Sequence, residues 1–230
     1  MNLKKFDTTT KILIGVAIAT LGAFVVYQIR NRKDGKKGAK NDFRKNLVDI
    51  AEDEHSTWNF GRLKEGATSM YNKLVGYWNG VGWSESRWSP TGTAWSAAFI
   101  SYVMKKANAG TNFKYSASHS SYIRDAVKNR KENNSNPFKA YKLNEKKVEV
   151  GDLVCYTRQD GVDYDTTSSY KSHCDIVVSA NKNEAQVIGG NVSHTVGKKS
   201  VKLNDGYVND SNKDWFTIIA QFYKCISLKG

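Results

Sequence analysis

The sequence predicts an α+β fold, with helices first and a small antiparallel sheet after them. Three observations carry this expectation. Apolar residues recur at helical spacing through the first half of the folded part, as in Trp95, Ala98, Phe99, Tyr102 and Val103. Beyond Pro137 the period changes to short β-branched runs separated by turns. Only Pro90 and Pro137 interrupt the 230 residues, 40% of which are hydrophobic, and no repeat or low-complexity block is visible. A run of helices followed by a run of strands sorts as α+β rather than as alternating α/β units.

The chain opens on a different kind of segment. Residues 12–29, ILIGVAIATLGAFVVYQI, carry no charge and reach the minimum length of a transmembrane helix. A cleaved signal peptide is the alternative. The run ends in FVVYQIRNRK rather than in a small-x-small cleavage pattern, which favours an uncleaved single-pass anchor. The expected organisation is a short flank at 1–11, a transmembrane helix at 12–29, a basic linker at 30–42 and a folded domain at 43–230.

Charge agrees with this division. The net charge is +13; the first 40 residues hold nine Lys/Arg and two Asp, hence +7, and the rest carries the other +6. A nucleic-acid binder concentrates its charge on the folded face, and this chain concentrates it beside a hydrophobic segment. The lipid bilayer is therefore the expected partner of residues 12–29. Residues 30–40 are candidates for anionic lipid or nucleic-acid contact. The larger basic flank follows the apolar run, so the positive-inside rule would keep the folded domain on the cytoplasmic side; that conflicts with a cell-wall function and fits a domain facing the interior of a membrane-containing virus particle, and the sequence leaves the side of the membrane open.

In the folded part, Phe43, Leu47, Val48, Ile50 and Ala51 predict a helix running toward Trp58. A second follows through Ala67, Met70, Tyr71, Leu74, Val75 and Trp78. The stretch NGVGWSESRWSPTGT, residues 79–93, reads as a loop. The helix after it carries Ser96 in its first turn, off the apolar face, with Thr93 as a candidate cap. SHSSYIRDAVK, residues 118–128, predicts a shorter helix capped by Ser118. Strands are expected at 153–157, 173–180, 184–192 and 215–223.

Residues two apart share a strand face, so His173 and Asp175 face one side and Cys174 the other. In GGNV, Gly189 and Gly190 weaken a strand unless something must approach closely, and they lead to the polar Asn191. A helix start carrying a hydroxyl, beside a sheet presenting an imidazole and polar groups, is an arrangement for nucleophilic catalysis. Cys155, Cys174 and Cys225 have no CxxC spacing and do not form a disulfide framework. They do not combine with the four histidines as a zinc motif, so neither metal nor cofactor is expected. His55 lies among Glu52, Asp53 and Glu54 and is expected at the surface; His194 is expected in a loop. Trp83, Trp88 and Trp95 bracket the loop before Ser96 and are candidate substrate-binding aromatics, core packing being the alternative for Trp95. The loop at 160–170 is expected either to rim the same groove or to be solvated.

Several pieces together resemble the papain-like cell-wall hydrolase superfamily that includes CHAP amidases and NlpC-type endopeptidases. They are YNKLVGYW, AWSAAFISYVMKKA, FKYSASHSSYI, GDLVCYTR, SHCDIVV and VIGGNV, spread over residues 43–200. The closest resemblance is to an uncharacterised branch in which serine replaces the usual cysteine. It implies a small antiparallel sheet packed on helices, with Ser96 as nucleophile, His173 as base and Asn191 as the residue orienting it. Asp175 and His119 match polar positions of the closer branch. The substrate class implied is peptidoglycan or a related peptide, cleaved at an amide bond in a bacterial envelope. The departure is Ser96 itself, because a serine needs full general-base help where a thiol does not. A catalytically silent binding or structural module, such as a membrane protein of a virus particle, is the alternative reading.

Overall fold

The computed structural model describes residues 43–222. The expected flank, anchor and linker lie outside the described residues. Among the described residues no helix is long and apolar enough to cross a membrane.

The architecture is α+β. Among the described residues four α-helices come first: α1 (Phe43–Thr57), α2 (Tyr71–Gly80), α3 (Ser96–Lys106) and α4 (His119–Lys131). Seven strands follow: β1 (Phe138–Tyr141), β2 (Leu153–Thr157), β3 (Ser172–Ala180), β4 (Glu184–Val192), β5 (Thr195–Asn204), β6 (Tyr207–Val208) and β7 (Asp214–Gln221). They form one antiparallel sheet in the order β1-β7-β2-β3-β4-β5-β6. Strands β2 to β6 meander, and β7 returns to lie between β1 and β2. The sequence did not announce β1, β5 or β6. Strand β5 hides because Gly197, Lys198 and Lys199 interrupt its apolar alternation, and its lysines belong to the more exposed part of the strand.

Helix α3 is the pivot of the core. Its apolar face is fully buried at Trp95, Ala98, Phe99, Ile100, Val103 and Met104, and each large side chain so buried contributes roughly 1.5–3 kcal/mol. Lys105 and Lys106 in its last turn complement the helix dipole. Phe99 packs on β4 at Gly190, where an added Cβ would stand 2.5 Å from Phe99 Cγ. The expected close approach at the GG pair is therefore real, and at Gly190 it is helix on strand.

Several local expectations are corrected. Thr93 does not cap α3: its hydroxyl accepts from the Ser89 backbone N–H at 3.0 Å, closing the turn before the helix. The Ser118 hydroxyl pairs with that of Ser120 at 3.1 Å and does not cap α4. His55 is buried, not at the surface, because α1 lies against the sheet there; its Nδ1 bonds the Val196 carbonyl at 2.9 Å.

Cysteine pairing, which spacing leaves open, is set by the sheet. Register sets Cys155 directly opposite Cys174, and the two form a buried cross-strand disulfide between β2 and β3. At the other end of β2, Asp152 is fully buried. Arg44 from α1 and Lys146 stand 3.1 Å and 3.2 Å from its carboxylate oxygens. Burial raises that carboxyl, the two cations offset part of the rise, and it comes to about 6.

Candidate active site

Two helix starts meet beneath a cleft. Ser96 is the first residue of α3 and His119 the first of α4. Ser96 Oγ lies 2.7 Å from His119 Nε2. The other ring nitrogen, Nδ1, bonds the Tyr122 hydroxyl one turn along the same helix. When Nδ1 carries the proton and donates to Tyr122, Nε2 is free to accept from the Ser96 hydroxyl.

His119 is held neutral. Burial pushes its pKa well below the usual histidine value; the nearby His173 and Arg158 add to that, and Asp175 opposes it. Its place at a helix N-terminus acts in the same sense, since the dipole disfavours a cation there. Burial, with Asp175 nearby, raises the Tyr122 hydroxyl well above its usual value, so it keeps its proton. The result is a neutral imidazole facing an alcohol, the state a general base requires.

Beside this pair stands a second unit. His173 Nε2 lies 3.0 Å from Asp175 Oδ1, both on the same face of β3 as their spacing requires. Lys199 Nζ on β5 approaches Asp175 Oδ2 to 2.9 Å. Burial alone would raise the Asp175 carboxyl; His173, by charge and hydrogen bond, and then the Lys199 ammonium outweigh it and bring it to about 2. Gly189 makes room for the unit, because a Cβ there would lie 3.0 Å from His173 Nε2 and closer still to Asp175 Oδ1. The His119 and His173 rings are 5.1 Å apart.

The five expected polar residues thus occupy one region, with different partners from those expected. His119, rather than His173, is bonded to Ser96. Asn191 does not orient His173. Its amide is satisfied when its oxygen accepts from the Trp95 backbone N–H and its nitrogen donates to Glu65 Oε2, each at 3.2 Å. It thereby serves an orphan donor at the start of α3, and its φ of 55° is one that asparagine tolerates.

Trp88 and Trp95 are core, and Trp83 is a half-buried ring packed against that core. Trp95 is fully buried, stacks on Trp58 at 5.0 Å and donates from Nε1 to Glu65 Oε2 at 2.7 Å. Trp83 and Trp88 each stack on Trp78, at 4.9 and 5.9 Å. None of the three lines the cleft over Ser96, which is walled by Ser96, His119, Arg158, Tyr170, Lys171 and neighbouring small residues and encloses about 570 Å³. Tyr170 and Ser169 bring the end of the 160–170 loop to this rim. His194 reaches the other oxygen of Glu65 at 2.8 Å. Among the described residues no group of three His, Cys, Asp or Glu is gathered as a metal would need.

Sequence reasoning missed Tyr122, Glu65, Lys199, Arg158 and Lys171. Tyr122 was within reach, since residues three apart on a helix are neighbours. The others meet the site only through long-range packing.

A helical layer over an antiparallel sheet, with a serine–histidine pair at two helix starts, defines the class. The chain belongs to the family described as an uncharacterized protein conserved in bacteria (DUF2272), which matches residues 58–220 and so spans the whole site. No curated protein and no solved structure matches the chain.

Proposed function

We propose that this domain is a serine-dependent amide hydrolase of papain-like, CHAP/NlpC-type architecture, tethered to a membrane through residues 12–29 and acting on peptidoglycan peptides. The observation that carries the chemistry is the 2.7 Å contact between Ser96 Oγ and a His119 kept neutral by burial. Ser96 attacks the amide carbonyl while His119 Nε2 takes its proton. The same nitrogen then returns the proton to the departing amine, and water releases the acyl group by the reverse sequence.

Tyr122 fixes the ring and its tautomer. Asp175, which favours the charged form of His119, stabilises the imidazolium as it forms. Backbone N–H groups in the first turn of α3 stand where an oxyanion develops beside Ser96. The substrate class rests on the resemblance described above, and the cleft over the serine is of a size to take a short peptide.

The experiment is digestion of purified peptidoglycan by the full chain, with released fragments identified by mass spectrometry. New amine and carboxyl ends that vanish in Ser96→Ala and His119→Ala support the reading. A folded protein that binds the wall and releases nothing from several wall types favours the silent binding module instead.

A further inference from the structure

We propose that the cleft over Ser96 contains an anion subsite, in which Arg158 and Lys171 take a carboxylate carried by the substrate beside the amide under attack. This rests on the hydrolase reading and adds the charge of its substrate.

The two cations are exposed side chains carried on a fixed corner of the sheet. Arg158 directly follows β2 and Lys171 directly precedes β3, and the Arg158 N–H donates to the Lys171 carbonyl at 2.9 Å, so the rung between them continues the sheet. Gln159 Oε1 accepts from the Lys171 N–H at 3.2 Å, and the Thr157 hydroxyl donates to the Gln159 carbonyl at 2.7 Å, which fixes the corner. Both residues line the cleft that reaches Ser96 and His119, and no acidic residue is among those lining it.

Of the three acids in the adjoining loop, Asp160 is exposed and does not line the cleft, and the other two are engaged elsewhere. Asp163 accepts from the Thr166 hydroxyl and the Asp165 N–H, while Asp165 pairs with Lys131 at 2.7 Å and Lys142 at 3.4 Å. The charge of Arg158 is felt at His119, where it opposes protonation. A guanidinium and an ammonium on one wall, with no carboxylate lining that wall, suit a bidentate carboxylate with a second cation beside it. Once bound, the carboxylate offsets the Arg158 charge that works against His119 as it accepts the serine proton. Anionic substrates therefore gain in the chemical step as well as in binding.

The test uses the full chain in two arms. In the first, Ser96 is labelled with a neutral alkyl fluorophosphonate and with an analogue bearing a carboxylate side arm. The expected ratio of rates favours the carboxylate probe by about tenfold at low salt. It shrinks in 0.5 M salt and several-fold in Arg158→Gln or Lys171→Gln, but not in Lys182→Gln on the β3–β4 turn. In the second arm, the Ser96→Ala chain is titrated calorimetrically with N-acetyl-glutamyl-alanine and with the matching glutaminyl-alanine amide, which needs no chemistry. Tighter binding of the acid, lost in a background of Arg158→Gln, upholds the subsite even when neither probe labels Ser96; the hydrolase reading then falls alone. Equal labelling by both probes with equal binding of acid and amide overturns the subsite and leaves the hydrolase reading standing.

Discussion

Replacing Gly190 with alanine tests how the serine helix is seated on the sheet. A Cβ at this position would stand 2.5 Å from Phe99 Cγ and 2.9 Å from Cδ1. That is roughly 1 Å inside the ~3.5 Å at which carbon atoms pack. Phe99 has nowhere to go. It is fully buried, with the Tyr77 ring 5.5 Å away and the Trp95 ring 6.5 Å away. Either β4 or α3 must move. Overpacking of this kind costs roughly 1–3 kcal/mol, and a ~1 Å displacement of Ser96 from His119 costs on the order of a hundredfold in rate. Urea unfolding gives the first quantity and the rate of Ser96 phosphonylation the second. Introducing Phe99→Ala beneath Gly190→Ala should recover only part of the cost, because it removes the ring but keeps the Phe99 Cβ, which stands closer still to the added atom and moves only with α3. A Gly190→Ala protein within 0.5 kcal/mol of the parent, labelled at the parental rate, refutes the seating argument.

Three further outcomes follow from the same geometry. His119 is depressed in the folded state, so below about pH 6.5 the unfolded chain takes up a proton that the folded chain refuses. Its contribution is complete above that pH and is lost on acidification, by at most about 1.4 kcal/mol per pH unit. The gap in unfolding free energy between parent and His119→Gln should therefore narrow from pH 7.5 to 5.5. Comparing the two cancels Asp152, whose raised pKa of about 6 works in the opposite sense between about pH 4 and 6. The Cys155–Cys174 bond closes a loop with a sequence separation of 19, so replacing both residues with alanine should cost about 3 kcal/mol in unfolding. Such bonds form in oxidising compartments, whereas the positive-inside rule applied to the basic flank favours the cytoplasmic side; a non-reducing peptide map of the chain isolated from its native cells decides between them. Trp83→Ala should leave Ser96 labelling within twofold, since its ring packs on Trp78 and lines no part of the cleft.

What the sequence made legible was local. The stripe of Trp95, Ala98, Phe99, Tyr102 and Val103 gave α3, and the two-residue period put His173 and Asp175 on one face of β3. Gly189 and Gly190 announced a close approach before its partners were known. The pairing of Ser96 with His119 was not legible, because it depends on two helix starts 23 residues apart meeting in space, and neither helix's periodicity encodes that. Asn191 had different partners for a similar reason: a positive φ at a register break near the end of β4 aims its amide at the start of α3 rather than along the sheet. The disulfide escaped because strand register, not cysteine spacing, sets Cys155 against Cys174. His55 looked solvated among its acidic neighbours, yet α1 turns it toward β5, where Val196 accepts its hydrogen bond.

The most direct measurement is to treat the full chain with a neutral fluorophosphonate between pH 5 and 9 and map the adduct by mass spectrometry. The account predicts one adduct, on Ser96. It should be abolished by Ser96→Ala and reduced by about a hundredfold or more in His119→Ala, with His173→Ala retaining more reactivity than His119→Ala. An adduct elsewhere, no adduct on a folded chain, or a rate that ignores His119 and collapses with His173 contradicts the pairing of Ser96 with His119 on which the proposed chemistry stands.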